Sequence, residues 1–176
     1  LATSSEQYRI KIRRAYSRDA DAIAHIINEA WKDAYAGIVP QKYLDSLANL
    51  PRAHRLAEGL ERVSDLRYYI FEENGVAVGA ASLHPTRDED LPRTAEFSFF
   101  YFIPQVWRHG YGKLLLDQLK RESAKAGYSR LCCWVLEDNQ RAISFYESQG
   151  MLRDGARQTV TIEIPLQTVR CVIDLY

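Results

Sequence analysis

Pro104-Gln105-Val106-Trp107-Arg108-His109-Gly110-Tyr111-Gly112-Lys113 is the stretch on which the reading of this chain turns. Two glycines, one residue apart, stand between an apolar run and a helix pattern that places Leu115, Leu116 and Leu119 on one face. Glycine at such a point lets a ligand approach the main chain closely. The N–H groups of the first helical turn have no partner inside the helix, and with the helix dipole they form an anion site. Arg108 and Lys113 add positive charge, and His109 and Tyr111 complete the loop. Two other phosphate motifs are excluded. A dinucleotide fingerprint needs glycine where Leu115 stands, and a P-loop needs Ser or Thr where Leu114 follows Lys113. Gly-x-Gly before a helix also arises for turn and packing reasons, so the loop alone names no ligand.

Working outward, residues 95–103 carry aromatics on both faces, which predicts one central strand covered on both sides. The helix runs from about 110 to 126, with Gly127 as its stop. Residues 131–136 read as a strand, 139–149 as a short helix closed by Gly150, and 160–164 and 169–175 as the last strands. Upstream, 68–72 and 76–83 flank Glu73-Asn74-Gly75, a hairpin signal. Residues 85–93 form a polar loop. Residues 8–14 alternate like a half-buried strand, Ser17 and Asp19 can cap a helix, and Ile23, Ile26, Ile27, Ala30 and Trp31 give that helix an apolar stripe. The stretch 33–50 is aromatic and irregular, Pro51 suits a first helical residue, and 55–62 continues that helix.

The 176 residues suit a single domain spanning 1–176. Lys plus Arg and Asp plus Glu both number 23, so no net field draws the chain to nucleic acid or an anionic membrane. No apolar run reaches the length of a membrane span. Residues 1–7 lack the features of a signal peptide and read as a disordered lead-in. Cys132, Cys133 and Cys171 are odd in number and partly adjacent, which suits reduced thiols in the cytoplasm rather than a disulfide framework. His25, His54, His84 and His109 lack ligand spacing, so no metal site is expected.

Residues 95–151 as a whole resemble the core of the GNAT superfamily of N-acetyltransferases. The resemblance rests on Pro104 before Gly110-Tyr111-Gly112, on Asn139-Gln140-Arg141-Ala142, on Phe145-Tyr146-Glu147 and on Gly150-Met151. It extends more loosely to Ala30-Trp31, Tyr35, Gly37, Pro40 and Tyr43-Leu44. One departure is Trp107, which stands where the family pattern has Gln or Arg. The resemblance implies a mixed, mostly antiparallel α/β sheet flanked by helices, whose splayed central strands form the cofactor groove. It implies acetyl-CoA as co-substrate, with its pyrophosphate on the loop amides, a contact from Asn139, and thioester polarisation by backbone amides near Tyr101 and Phe102. It also implies an amine acceptor, either a small molecule or a protein or peptide amine.

Acetylating an amine needs a base, because the acceptor arrives mostly as ammonium, and an acid for the leaving thiolate. Glu96 is the candidate base, acting through water; a carboxylate that meets solvent or pairs with Arg93 is the plain alternative. Tyr146 is the candidate acid, because a phenol is neutral at pH 7 and can protonate or hydrogen-bond a thiolate; core packing is its alternative. Asn139 is first of all a helix N-cap. Trp31 and Tyr35 line an acceptor pocket or pack the core, and Asp88-Glu89-Asp90 reads as a solvated loop. The expected activity is therefore direct acetyl transfer in a ternary complex. Its rivals are a non-catalytic acyl-CoA sensor and an interaction domain with a vestigial groove. The oligomeric state is open, a homodimer included.

Overall fold

The computed structural model describes residues 9–62 and 65–175. Eight strands make one sheet: β1 (Ile10–Arg14), β2 (Arg67–Glu73), β3 (Val76–Pro85), β4 (Thr94–Glu96), β5 (Phe100–Phe102), β6 (Arg130–Leu136), β7 (Leu152–Ile162) and β8 (Ile164–Asp174). The helices are α1 (Ala20–Ala34), α2 (Gln41–Asp45), α3 (Asn49–Arg62), α4 (Tyr111–Lys125) and α5 (Gln140–Ser148). The strand order is β1-β2-β3-β4-β6-β8-β7, with β5 also paired to β3. All pairs are antiparallel except β4 with β6. This is the mixed, mostly antiparallel sheet that the resemblance implies.

Alternation along the strands divides the core. Ile23, Ile26 and Ile27 of α1 meet Tyr68, Ile70 and Ala80 on one face, where α3 adds Ala53 and Leu56. Leu115, Leu116 and Leu119 of α4 and Ile143 of α5 meet Phe71, Ala81, Phe97 and Leu131 on the other. The Asn74-Gly75 turn has φ of 52° and 83°, the paired positive angles of a two-residue hairpin turn.

The single strand expected over residues 95–103 is broken in two. His84 pairs Glu96 on one side of the break and Ala81 pairs Phe100 on the other. Two β3 residues, Ser82 and Leu83, therefore face three, 97–99, which makes a one-residue β-bulge. Ser82, almost wholly buried, satisfies it: its Oγ accepts from the amides of Ser98 (2.8 Å) and Phe99 (3.1 Å). Aromatic patterning marked the segment as buried strand, but the break depends on a side-chain oxygen brought from β3.

Other boundaries also differ from the sequence expectation. The irregular 33–50 stretch contains α2, and Pro51 is the third residue of α3 rather than its first. It is tolerated there because first-turn N–H groups lack helical partners. Asp19 sits at the N-cap of α1, yet its carboxylate binds Arg13 and the Tyr16 amide rather than the helix start. The strand expected at 160–164 ends in a turn at Glu163 (φ 63°), and β7 reaches back to Leu152. As an exposed edge strand, β7 shows no apolar alternation by which its start could be read. The lead-in at 1–7 and the expected strand start at Tyr8 lie outside the described residues. No helix among the described residues is long and apolar enough to cross a membrane.

Candidate functional site

A cavity of about 590 Å³ opens where β5 parts from β6. The last rung between the parallel strands is the Phe97 amide on the Cys132 carbonyl, at 3.1 Å. Beyond it, among the described residues, β5 pairs only with β3. Gly79 is what lets β5 lie there, because a Cβ on it would fall 2.3 Å from the Phe102 ring. Ser82 N donates to the Phe99 carbonyl and Ile103 N to the Val78 carbonyl. Antiparallel alternation then turns the Tyr101 amide toward β3, and those of Phe100 and Phe102 toward the gap. The Phe102 carbonyl lies on that open side as well, accepting the Trp107 indole N–H at 2.8 Å.

The glycine loop forms the outer wall. Arg108 (φ 67°) and Gly110 (φ 81°) are both left-handed, and Gly110 is the N-cap of α4, with no side chain capping the helix. The amides of Gly112 and Lys113, in the first turn of α4, thus lack an intrahelical partner and a side-chain cap. At Gly112 the constraint is packing, since a Cβ would come within 3.0 Å of Phe145. Tyr111 turns its ring inward against Phe71 and hydrogen-bonds Glu73, so it offers the cavity its backbone. Lys113 shares its charge with Asp117 at 2.6 Å. Arg108 lines the cavity without an ion pair among the described residues, and His109 stands outside the lining, edge-on to Tyr111. Arg141 stacks its guanidinium 3.6 Å from the Trp107 ring centre, and burial lowers its pKa. Trp107, the departure from the family pattern, thus holds a cation from α5 beside the loop.

Deeper in, Tyr146 is 7% exposed among Phe97, Phe100 and Phe145. Its hydroxyl has no hydrogen-bond partner among the described residues and is not one of the enclosed unpaired polar atoms, so it opens to the cavity. Burial holds its pKa well above the ordinary phenol value, which keeps the proton on the oxygen. Asn139 caps α5, its Oδ1 accepting from the Ala142 amide at 3.2 Å, and it lines the same cavity. At the far end Tyr35 and Tyr101 share a 2.8 Å hydroxyl contact, with Trp31 edge-on to Tyr35.

Glu96 is placed differently. It is half-buried on β4, outside the cavity lining, and its Oε2 accepts from Thr86 rather than from Arg93. Its carboxylate, Asp88 and the Cys132 thiol lie within 4.8 Å of one another. Burial pushes the Cys132 thiol up to about 12 and also raises Cys133 well above the ordinary thiol range, so neither is a ready nucleophile. In the loop read as solvated, Glu89 and Asp90 are exposed and Asp88 is half-buried, and Asp88 and Asp90 both bind the buried Arg170.

A split sheet, an uncapped glycine-initiated helix and a phenol opening between them can be set beside known proteins. The Acetyltransferase (GNAT) family matches residues 22–151. The chain belongs to that family. It is therefore a GNAT acyltransferase. The uncharacterized N-acetyltransferase YuaI of Bacillus subtilis is 28% identical over 141 residues, covering 79% of this chain and 78% of that protein. A spermidine N(1)-acetyltransferase of Thermoplasma acidophilum is 23% identical over 145 residues, covering 80% and 87%. The crystal structure of the PaiA N-acetyltransferase of T. acidophilum in complex with coenzyme A superposes with a TM-score of 0.75 at 21% identity, covering 92% and 98%. Sequence reading missed the contributions of Gly79, Ser82 and Arg141 to this GNAT site. The first two act from a neighbouring strand, and only the Asn-x-Arg spacing at 139–141 hinted at the third.

Proposed function

We propose that the chain transfers an acetyl group from acetyl-CoA to a primary amine, by direct attack of the amine in a ternary complex. The observation that carries this reading is the Tyr146 hydroxyl, unpartnered among the described residues, which opens into the cavity formed by the strand split. The cavity suits such a co-substrate. Two arginines without ion pairs among the described residues, Arg108 and Arg141, flank the start of α4, and Phe97, Phe100, Phe102 and Val135 make an apolar slot behind them. In this reading the amides of Gly110, Gly112 and Lys113 receive the pyrophosphate, helped by Arg108, Lys113 and Arg141. The Phe100 and Phe102 amides face the thioester oxygen, where oriented donors favour the developing negative charge.

The acetyl donor supplies the acyl group, and the chain supplies binding, orientation and proton transfer. Tyr146 keeps its proton until the sulfur departs and then donates it. Glu96 serves the base side through intervening groups, since its carboxylate is turned to Thr86 outside the cavity. The family name and the CoA-bound PaiA structure support the donor. The spermidine-acetylating relative supports an amine acceptor, and a small-molecule or peptide amine both fit the reading. The test is thiol release from acetyl-CoA across spermidine, free amino acids, an alanyl N-terminal peptide and a lysyl peptide. Turnover with at least one is expected. Binding of acetyl-CoA with no release across the panel would sink the reading.

A further inference from the structure

The bulge between β4 and β5 separates two cavities, and Ser98 and Phe99 line both. The second, of about 390 Å³, is walled by Tyr68, Ser82, His84 and Arg87. His84 Nδ1 lies 2.8 Å from the Pro85 carbonyl oxygen, and its Nε2 is hydrogen-bonded to Ser98 Oγ. A carbonyl can only accept, so in the neutral ring Nδ1 carries the proton. Nε2 is then a bare lone pair that accepts the Ser98 hydroxyl proton. That leaves the Ser98 oxygen able to accept a proton from the first cavity. Glu96 is the partner of His84 across β3 and β4. Paired residues project to the same side with Cβ atoms roughly 5 Å apart, so a carboxylate held by Thr86 stands beside the imidazole.

We infer that Ser98 and His84 form the proton exit of the transfer reaction; the assignment rests on the acyl-transfer reading of the first cavity. The acceptor nitrogen, arriving as ammonium, gives one proton to Ser98 Oγ while Ser98 passes its own to His84 Nε2. The freed lone pair forms the C–N bond at the thioester carbonyl carbon, and the C–S bond breaks. The nitrogen's second proton reaches the sulfur by way of the Tyr146 phenol, which gives one proton and regains one. The imidazolium releases its proton to solvent in the second cavity, so one proton leaves per turnover and the dyad is restored. Ser98 touches the reacting nitrogen and is the catalytic residue of the pair. His84 acts through it, as the positioning residue that accepts the proton. Glu96 supplies the opposing charge, which is how it serves the base side without reaching the acceptor. The charged and titratable groups facing His84 are Glu96 from β4, Arg87 from the following loop, Tyr68 from β2 and Asp65 just before it.

The experiment compares wild type with Ser98→Ala, Ser98→Thr and His84→Gln, using acetyl-CoA and the panel amine that wild type turns over fastest. kcat and both KM values are measured from pH 7 to 10. At pH 7 the Ala and Gln variants should lose about a hundredfold or more in kcat with an unchanged KM for acetyl-CoA. The deficit should shrink as pH approaches the acceptor's own pKa, because free amine then needs no exit. Ser98→Thr keeps a hydroxyl and should retain most of the rate. Ser98 is exposed, so Ser98→Ala keeps the test sound even if His84→Gln folds poorly. An active wild type with unaffected Ala and Gln variants, a deficit constant with pH, or a Thr variant as slow as Ala overturns the relay alone. A wild type that binds acetyl-CoA yet acetylates no amine overturns the functional reading and the relay with it.

Discussion

Tyr146 offers one hydroxyl whose environment was built by burial. Its neighbours are aromatic rings, its pKa is raised, and its oxygen faces only the cavity. Removing that oxygen costs little packing, so Tyr146→Phe should keep the fold and the acetyl-CoA affinity. Turnover should fall, because the leaving-sulfur contact strengthens only in the transition state. Steady-state kcat beside a direct binding measurement checks this, and full activity would return Tyr146 to core packing. Glu96 makes the complementary case. In Glu96→Gln the Thr86 hydrogen bond can persist while the charge is lost, so a deficit would report ionisation. It should be largest near neutrality and fade toward about pH 10.4, the ordinary pKa of a lysine-like amine. A ratio to wild type that stays constant with pH would leave Glu96 as a member of the Thr86–Asp88 cluster only.

Two elements make the groove, and each depends on one small residue. The bulge between β4 and β5 is held by Ser82 Oγ, which takes both the Ser98 and Phe99 amides in a buried setting. Ser82→Ala would strand these amides and should destabilise the fold by about 1–3 kcal/mol. With its bonds gone the bulge is free to shift, and acetyl-CoA should bind more weakly. Denaturant unfolding and calorimetric binding read the two effects, and an unaltered variant would mean that the bulge holds itself. The start of α4 relies on Gly110, whose left-handed backbone costs a residue with a Cβ roughly 1–2 kcal/mol. Since a Cβ there would meet open space within the protein, Gly110→Val should remain folded and lose acetyl-CoA through loop geometry and blocked approach. A folded variant with normal binding would detach the loop from the pyrophosphate.

On the scale of the whole molecule, the sheet joins two helical faces and the groove runs between them. A ligand there touches β5, α4 and α5 together, so binding should stabilise the fold as a unit. At a hundredfold excess over its Kd, acetyl-CoA should add about 2.7 kcal/mol, visible as a higher Tm in thermal unfolding. An unchanged Tm at millimolar acetyl-CoA would remove the cavity from cofactor binding. Away from the groove, Arg170 ties the 86–93 loop to β7 through Asp88, Asp90 and Asp154. That tie brings Asp88 to the Trp134 indole at the cavity wall.

The sequence by itself determined what local pattern can carry. The Gly110-Tyr111-Gly112 start of α4, the Asn74-Gly75 turn, the Asn139 cap of α5 and the apolar stripe of α1 follow from backbone preference and spacing within a few residues. The glycine loop and the Asn139 cap, together with Pro104, Phe145-Tyr146-Glu147 and Gly150-Met151, were enough to name the family by resemblance. Tertiary structure decided where groups distant along the chain meet. It broke the 95–103 strand through Ser82, fitted Phe102 against Gly79, stacked Arg141 on Trp107 and turned Glu96 away from the cavity toward Thr86. It also set His84 against Ser98, although the chain separates them by a loop and a strand. None of these pairings leaves a periodic trace, because each depends on the register between strands or on a contact between helix and loop. Register is specified by which face of the sheet is buried, and burial is decided only in the folded molecule.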